Sequence, residues 1–458
     1  MLLGVFLCGC HSASAPHPSW PAIHLASDDR ILVLAPHPDD EVLGCGGVIQ
    51  DAVAMGLPLR VVFLTYGDNN QWSFLVYRKH PVFIPAAVRQ MGLVRHDEAV
   101  AADRVLGLSP DQLTFLGYPD FGTLRIWEAH WRDRPPFRSM LTHVTEVPYP
   151  NARRRGASYA GEEVLKDLTE IVREFRPTKV FVSHPGDHMP DHAALYLFTR
   201  VALWDLEPAL RPEVYPYLVH FRGWPRPRGF QPTEDLSPPS SLIRAIAWRE
   251  NRLSPQELER GQVAIRAHRT QYGSSARYLL SFVRPNELFG YFPSIALRRT
   301  TSPTPLSSSA NDRAGDAHEE LTDEERAKFV GLEERRVWLE GEQLIVSVSY
   351  SRPLAEAVEL SIFVFGYRPD RPFGVMPKLH LKLGALSHQV LDQHRLLAES
   401  GVTVTRRPTH VTVHIPLESL GNPQRILTSA RTYLGEVPLD WGAWRIVEVA
   451  LDANGPRR

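Results

Sequence analysis

Two short stretches of this sequence concentrate groups that can do chemistry. The first is Pro36-His37-Pro38-Asp39-Asp40-Glu41. His37 and Asp40 are three residues apart, so one turn entering a helix can aim both at a single ion. An imidazole nitrogen and a carboxylate oxygen both suit zinc. Asp39, between them, faces elsewhere and is left to act on a water. Acidic residues at a helix start also complement the helix dipole, so this stretch alone leaves the metal and structural readings level. The second stretch, His184-Pro185-Gly186-Asp187-His188-Met189-Pro190-Asp191-His192, puts three histidines and two aspartates into nine residues. His192 can complete a set of two histidines and one carboxylate. Three protein ligands with an open fourth position is the arrangement of a catalytic zinc. A polar loop with capping aspartates is the alternative, but two such clusters make coincidence a weak account.

Both stretches follow apolar, β-rich runs. Arg30 to Ala35 and Lys179 to Ser183 read as strands buried on both faces, as does Leu59 to Thr65, with Leu113 to Leu116 a further strand. Helical spacing runs through Val42 to Met55, Arg95 to Leu106, Glu162 to Phe175 and Ala193 to Trp204. Strand alternating with helix predicts an α/β layer fold with a mainly parallel sheet. In such sheets ligands lie at the carboxyl ends of the strands, where both stretches fall. Residues 300–325, rich in Ser, Thr, Pro and Ala at their start, read as a linker. Beyond them, apolar residues alternate through Leu344 to Tyr350, Leu379 to Leu383 and Val411 to Leu417, which predicts an antiparallel β-sandwich over 326–458. Trp338, Tyr433, Trp441 and Trp444 there read as core first and as sugar-stacking rings second.

Bulk properties bound the function. The 458 residues suffice for two or three domains, and a formal net charge of −1 offers none of the basic excess of a nucleic-acid binder. The one basic run, Arg153 to Arg155, reads as a solvated loop, with an anionic substrate contact as the lesser reading. Three cysteines are too few for a disulfide framework. Two of them lie in Leu7-Cys8-Gly9-Cys10, after an apolar start, a pattern that resembles a bacterial lipoprotein signal with Cys10 lipidated. Residues 1–27 are therefore expected to be signal and tether, giving an exported protein of the bacterial cell envelope with membrane attachment through Cys10. Residues 28–299 are expected to form the first domain.

The run Pro36 to Gly47 (Pro-His-Pro-Asp-Asp-Glu-Val-Leu-Gly-Cys-Gly-Gly) resembles the signature of the PIG-L/LmbE-like deacetylases, and Pro190-Asp191-His192 resembles that family's second motif. The resemblance spans about residues 28–292 and implies a Rossmann-like fold and zinc-dependent hydrolysis of N-acetylglucosaminides or related amides. It implies His37, Asp40 and His192 as zinc ligands and Asp39 as general base. Arg95 and Asp120 are implied to contact substrate hydroxyls, and Asp191 to support the site from behind the ligands. The sequence departs from the pattern at Met189, where the family commonly has a histidine, and a thioether cannot donate a proton. Either His188, one residue earlier, is the acid in its place, or zinc alone polarises the carbonyl and Asp39 returns the proton it accepted. The substrate implied is an N-acetylated amino sugar or glycoconjugate. The competing reading is a catalytically silent glycan-binding lipoprotein that retains the zinc pocket.

Overall fold

The computed structural model describes residues 20–69, 84–298, 302–306 and 321–450. Cys10 and most of the expected signal and tether lie outside the described residues.

The first domain is built on a sheet of seven strands. They are β1 (Ile31–Ala35), β2 (Leu59–Thr65), β3 (Leu113–Tyr118), β4 (Lys179–Ser183), β5 (Glu213–Tyr217), β6 (Ala247–Arg252) and β7 (Asn286–Tyr291), in the spatial order β3-β2-β1-β4-β5-β7-β6. The first five of that order run parallel, and β7 joins β5 and β6 antiparallel. Alternate residues of β1 serve opposite cores: Ile31 and Val33 on one face, Leu32 and Leu34 on the other. That double burial is why the strand reads as an unbroken apolar run. The chain winds outward from β1 to β3, then restarts at β4 on β1's other side. The strand order therefore reverses between β1 and β4, and a crevice opens outside their carboxyl ends.

Helices α1 (Asp40–Ala54) and α5 (Pro190–Asp205) leave from those two strand ends. Between them in sequence come α2 (Pro85–Leu106), α3 (Thr123–Ala129) and α4 (Gly161–Phe175). A Cβ on Gly44 would lie 2.3 Å from the Tyr217 ring, so glycine there lets α1 pack close on β5. Helix α2 begins ten residues before the sequence pattern expects, with Pro85 at its first turn. Its early turns bury only a few side chains, and the 3.6-residue signal is weak there.

The second domain is a sandwich. One sheet orders Thr403–Arg407, His410–Pro416, Gln343–Tyr350, Leu332–Glu340 and Thr304–Pro305. The other orders Arg395–Leu396, His388–Asp392, Lys378–Leu383, Val358–Tyr367, Arg425–Leu434, Arg445–Val449 and Ile295–Leu297, with Val437–Trp441 added on Arg425–Leu434. Their inner faces share one core, with Val346 and Val413 from the first sheet against Ile362 and Ile426 from the second.

The expected boundary at residue 299 is corrected. Ile295–Leu297 already pairs with Arg445–Val449, and Thr304–Pro305 pairs with Leu332–Glu340. Strands of two and three residues are too short to carry a period-2 pattern, which hid them in the sequence.

The two domains share a core. Phe363, Phe365 and Trp444, on the sandwich's outer face, pack with Trp127, Trp131 and Phe198 of the first domain. Around them, Arg431 pairs with Glu128 at 2.7 Å and Arg132 with Asp392 at 2.6 Å. The junction is a packed interface, so the second domain holds a fixed place beside the crevice.

Candidate metal centre and the cleft beside it

The crevice between β1 and β4 gathers the two polar stretches. His37 Nδ1 and His192 Nε2 each lie 3.1 Å from Asp40 Oδ2. Donor atoms bound at about 2.0–2.2 Å in a tetrahedral shell sit roughly 3.3 Å apart, so these spacings suit one zinc-sized ion. All three residues are buried, and Asp40 Oδ1 and His192 Nε2 have no hydrogen-bond partner among the described residues. Two neutral nitrogens and a carboxylate form the donor set of an open, catalytic zinc site. The residues present fit the metal.

The electrostatics agree. Burial alone would depress both imidazoles, but the surrounding carboxylates reverse it. Asp120, Asp191 and Asp40 hold His37 protonated well above its ordinary range. Asp187 and Asp40 lift His192 to about 9. For Asp40, burial is overridden by the two imidazoles, and it stays ionised far below the usual carboxylate range. A cluster that draws protons to its centre is one that favours a cation there.

A second group, His37 with Asp120 and Asp191, also clusters. Its carboxylates already have partners. Asp191 accepts from the Phe121 and Thr123 amides and the Thr123 hydroxyl, and Asp120 accepts from the Asn69 amide. Both face His37 Nε2, at 3.1 Å from Asp120 and 3.2 Å from Asp191. Such carboxylates orient a ligating imidazole from behind. Asp120, expected to meet substrate hydroxyls, is thus turned onto His37 in this structure.

Arg95 also differs from expectation. It is buried, and its guanidinium donates to the carbonyls of Gly67 (2.7 Å) and Pro38 (2.6 Å). It clamps the loop that carries Asp39. A Cβ on Gly67 would fall 1.9 Å from Arg95 Nη1, so that close approach requires glycine. Asp39 has φ 127° and ψ −28°, a backbone conformation costly for any non-glycine residue. The Arg95 clamp and a bond from the Asp39 amide to Glu41 (2.9 Å) hold it there. Burial raises the Asp39 carboxyl to about 7, with repulsion from Asp40 and Glu41 adding to it and Arg95, 3.6 Å away, opposing it.

His188 does not reach the ligands. Its Nδ1 accepts from the Arg222 amide at 3.0 Å, and its ring stacks on Phe221 and meets Trp441 edge-on. Burial lowers it to about 4, so it is neutral near pH 7. In this structure the expected acid stands in the wall of the cleft, where the Asp187-His188 turn faces it toward the second domain.

Two residues that sequence reasoning missed sit closer. Asp187 lies 3.1 Å from His192 Nδ1 and accepts from the amides of Val219 and His220. It ties the loop after β5 to the ligand. His220, on that loop, packs edge-on against His192 with its Nε2 4.0 Å from Asp40 Oδ1. Its Nδ1 meets the Tyr278 hydroxyl at 3.2 Å. Asp187 was visible in the histidine-rich stretch; no local signal marked His220. Outward from His220 extends a cleft of about 1110 Å³, whose far wall includes Trp441 of the second domain.

Residues 32–203 match the family model described as "PIG-L: GlcNAc-PI de-N-acetylase". That stretch contains His37, Asp39, Asp40, Asp187 and His192. In that stretch the chain is similar to the PIG-L family. A 1D-myo-inositol 2-acetamido-2-deoxy-alpha-D-glucopyranoside deacetylase from Mycobacterium sp. (strain KMS) is 30% identical over 176 residues, covering 38% of this chain and 50% of its own. The enzyme of the same name from Mycolicibacterium smegmatis is 26% identical over 219 residues, covering 47% and 63%. The chain thus spans about half the length of the first of these curated relatives. Among solved structures, the N,N'-diacetylchitobiose deacetylase from Pyrococcus horikoshii is 20% identical at a TM-score of 0.33, covering 55% of this chain and 75% of that one. The PIG-L match ends at residue 203, so His220 and the second domain lie outside it.

Proposed function

We propose that the first domain is a zinc-dependent hydrolase that removes the acetyl group from an N-acetylated amino sugar or glycoconjugate. The observation that carries this reading is the convergence of His37, Asp40 and His192 beside a strained, buried Asp39. The relatives named as deacetylases of an acetamido-glucopyranoside support the substrate class.

His37, Asp40 and His192 would hold the ion, with Asp120, Asp191 and Asp187 fixing the two imidazoles from behind. A bound zinc would lower the pKa of a water to about 7 and polarise a carbonyl. The Asp39 carboxylate, near 7, is matched to accept a proton from attacking water at neutral pH and to return it to the departing amine. Arg95 fixes the direction from which that carboxylate acts. With Met189 unable to donate a proton and His188 turned away, Asp39 carries both transfers. On Leu7-Cys8-Gly9-Cys10 alone we further propose that the protein works at the cell envelope through lipidated Cys10.

The test is acetate release from a panel of N-acetylglucosamine-containing substrates, with zinc content measured on the same samples. Wild type should release acetate, and Asp39→Asn should keep zinc but not release it. A variant that keeps its rate would remove Asp39 from the reaction.

A further inference from the structure

The cleft beside the metal centre has a charge opposite to the centre itself. Arg222, Arg226, Arg228 and Arg277 line it, and no aspartate or glutamate does. The chain as a whole is balanced at −1, so this concentration is local. The basic run apparent in the sequence behaves otherwise. Arg153 pairs with Glu174 at 2.8 Å, and Arg154 pairs with Glu163 and Asp167. Arg228 and Arg277 pair with no carboxylate among the described residues.

Two of the four cleft arginines are also held in place. Arg228 lies over the Tyr278 ring at 4.8 Å, and Arg222 over Trp441 at 5.0 Å. Stacking on an aromatic face fixes the guanidinium plane, whose edge carries the N–H donors that match phosphate or carboxylate. The loop bearing Arg222, Arg226 and Arg228 is anchored from beneath. Buried Arg284 donates to the Pro227 carbonyl, the Trp224 indole to the Ser237 carbonyl at 2.7 Å, and the Gly229 amide to the Ser281 hydroxyl at 2.7 Å. Ser275 breaks the helical geometry of Arg269–Leu279 with φ −135°, just before Arg277 and Tyr278.

We propose that this cleft is an anion subsite. It binds a negatively charged substituent, phosphate or carboxylate, on the N-acetylated sugar, with Trp441 of the sandwich domain as its wall. The proposal rests on the deacetylase reading and names its substrate class. The sandwich domain then serves as part of the substrate cleft instead of as a separate module. His220, packed on His192, is the point where the subsite meets the metal centre.

The experiment compares, in the full zinc-loaded protein, kcat/KM for N-acetylglucosamine, its 1- and 6-phosphates and N-acetylmuramic acid. At least one anionic substrate should be favoured tenfold or more over the neutral sugar. Which one is favoured separates phosphate from carboxylate recognition. Arg228→Gln/Arg277→Gln should collapse that ratio, and Arg228→Lys/Arg277→Lys should retain part of it. The ratio should also fall as salt rises, since exposed charges are screened. Equal turnover of neutral and anionic sugars would overturn the subsite while leaving the deacetylase standing. If no sugar is turned over, calorimetric binding decides. Binding of a sugar phosphate or N-acetylmuramic acid that is lost in the glutamine variant supports the subsite without the reaction, and no binding overturns it.

Discussion

The crevice has a floor and a wall, and they are built differently. The floor is made at the ends of β1 and β4. There each candidate ligand histidine is fixed by buried carboxylates a few ångströms behind it, Asp120 and Asp191 on His37 and Asp187 on His192. The wall is made from the loop after β5, the end of a kinked helix and Trp441 of the second domain, and two of its four arginines, Arg222 and Arg228, are held by stacking at the edge of solvent. The floor suits a cation and the wall an anion. The contrast teaches that reaction and selectivity reside on separate elements, so changes to one should leave distinct signatures from changes to the other.

The largest effect belongs to the floor. Asp39→Asn should lower kcat by about 10²–10⁴-fold, the range of a lost general base, with zinc content unchanged. Loss of zinc instead would make Asp39 a ligand. Next, Asp187→Asn should weaken zinc binding by roughly 10–100-fold in a competition titration, because His192 loses the carboxylate that orients it. Unchanged affinity would show that the floor does not depend on that contact. At the junction, two tryptophans three residues apart should separate. Trp444→Ala, buried against Trp127, should cost about 3–5 kcal/mol in chemical denaturation. Trp441→Ala should mainly raise KM. Equal losses of stability would mean that Trp441 is core and not wall.

The effect farthest from the crevice is a pH dependence of stability. Lys378 is buried with its ammonium 4.5 Å from the centre of the Trp131 ring across the junction. Burial lowers it from 10.5 to about 7, with Asp392 opposing and Arg132 reinforcing the shift. Between those pH values the unfolded chain binds the proton more readily than the folded one. Stability should therefore rise with pH from about 7 to 10.5 and be lowest below 7. Lys378→Met should flatten that slope in denaturation profiles, and an unaltered slope would assign it to other groups.

The sequence revealed most of the floor and little of the wall. His37, Asp40 and His192 stand in dense local motifs after unbroken apolar strands, and both features can be read from neighbours in the chain. Arg95 and Asp120 were visible as positions but not as directions. Whether a guanidinium meets a sugar or the Pro38 carbonyl depends on how α2 packs against the loop, which residue type does not encode. His220 and Trp441 reach the crevice through pairings remote in sequence. The alternation through Leu344 to Tyr350 announced the sandwich. The two- and three-residue strands that begin it carried no period, which is why its boundary was set too late.

The central claim is that the floor is a hydrolytic zinc site. Its most direct test is acetate release from N-acetylated amino sugars, neutral and anionic, before metal removal, after it, and after zinc is restored. The account predicts a rate that disappears with the metal and returns with about one zinc per chain. A metal-stripped protein that still released acetate at full rate would contradict it.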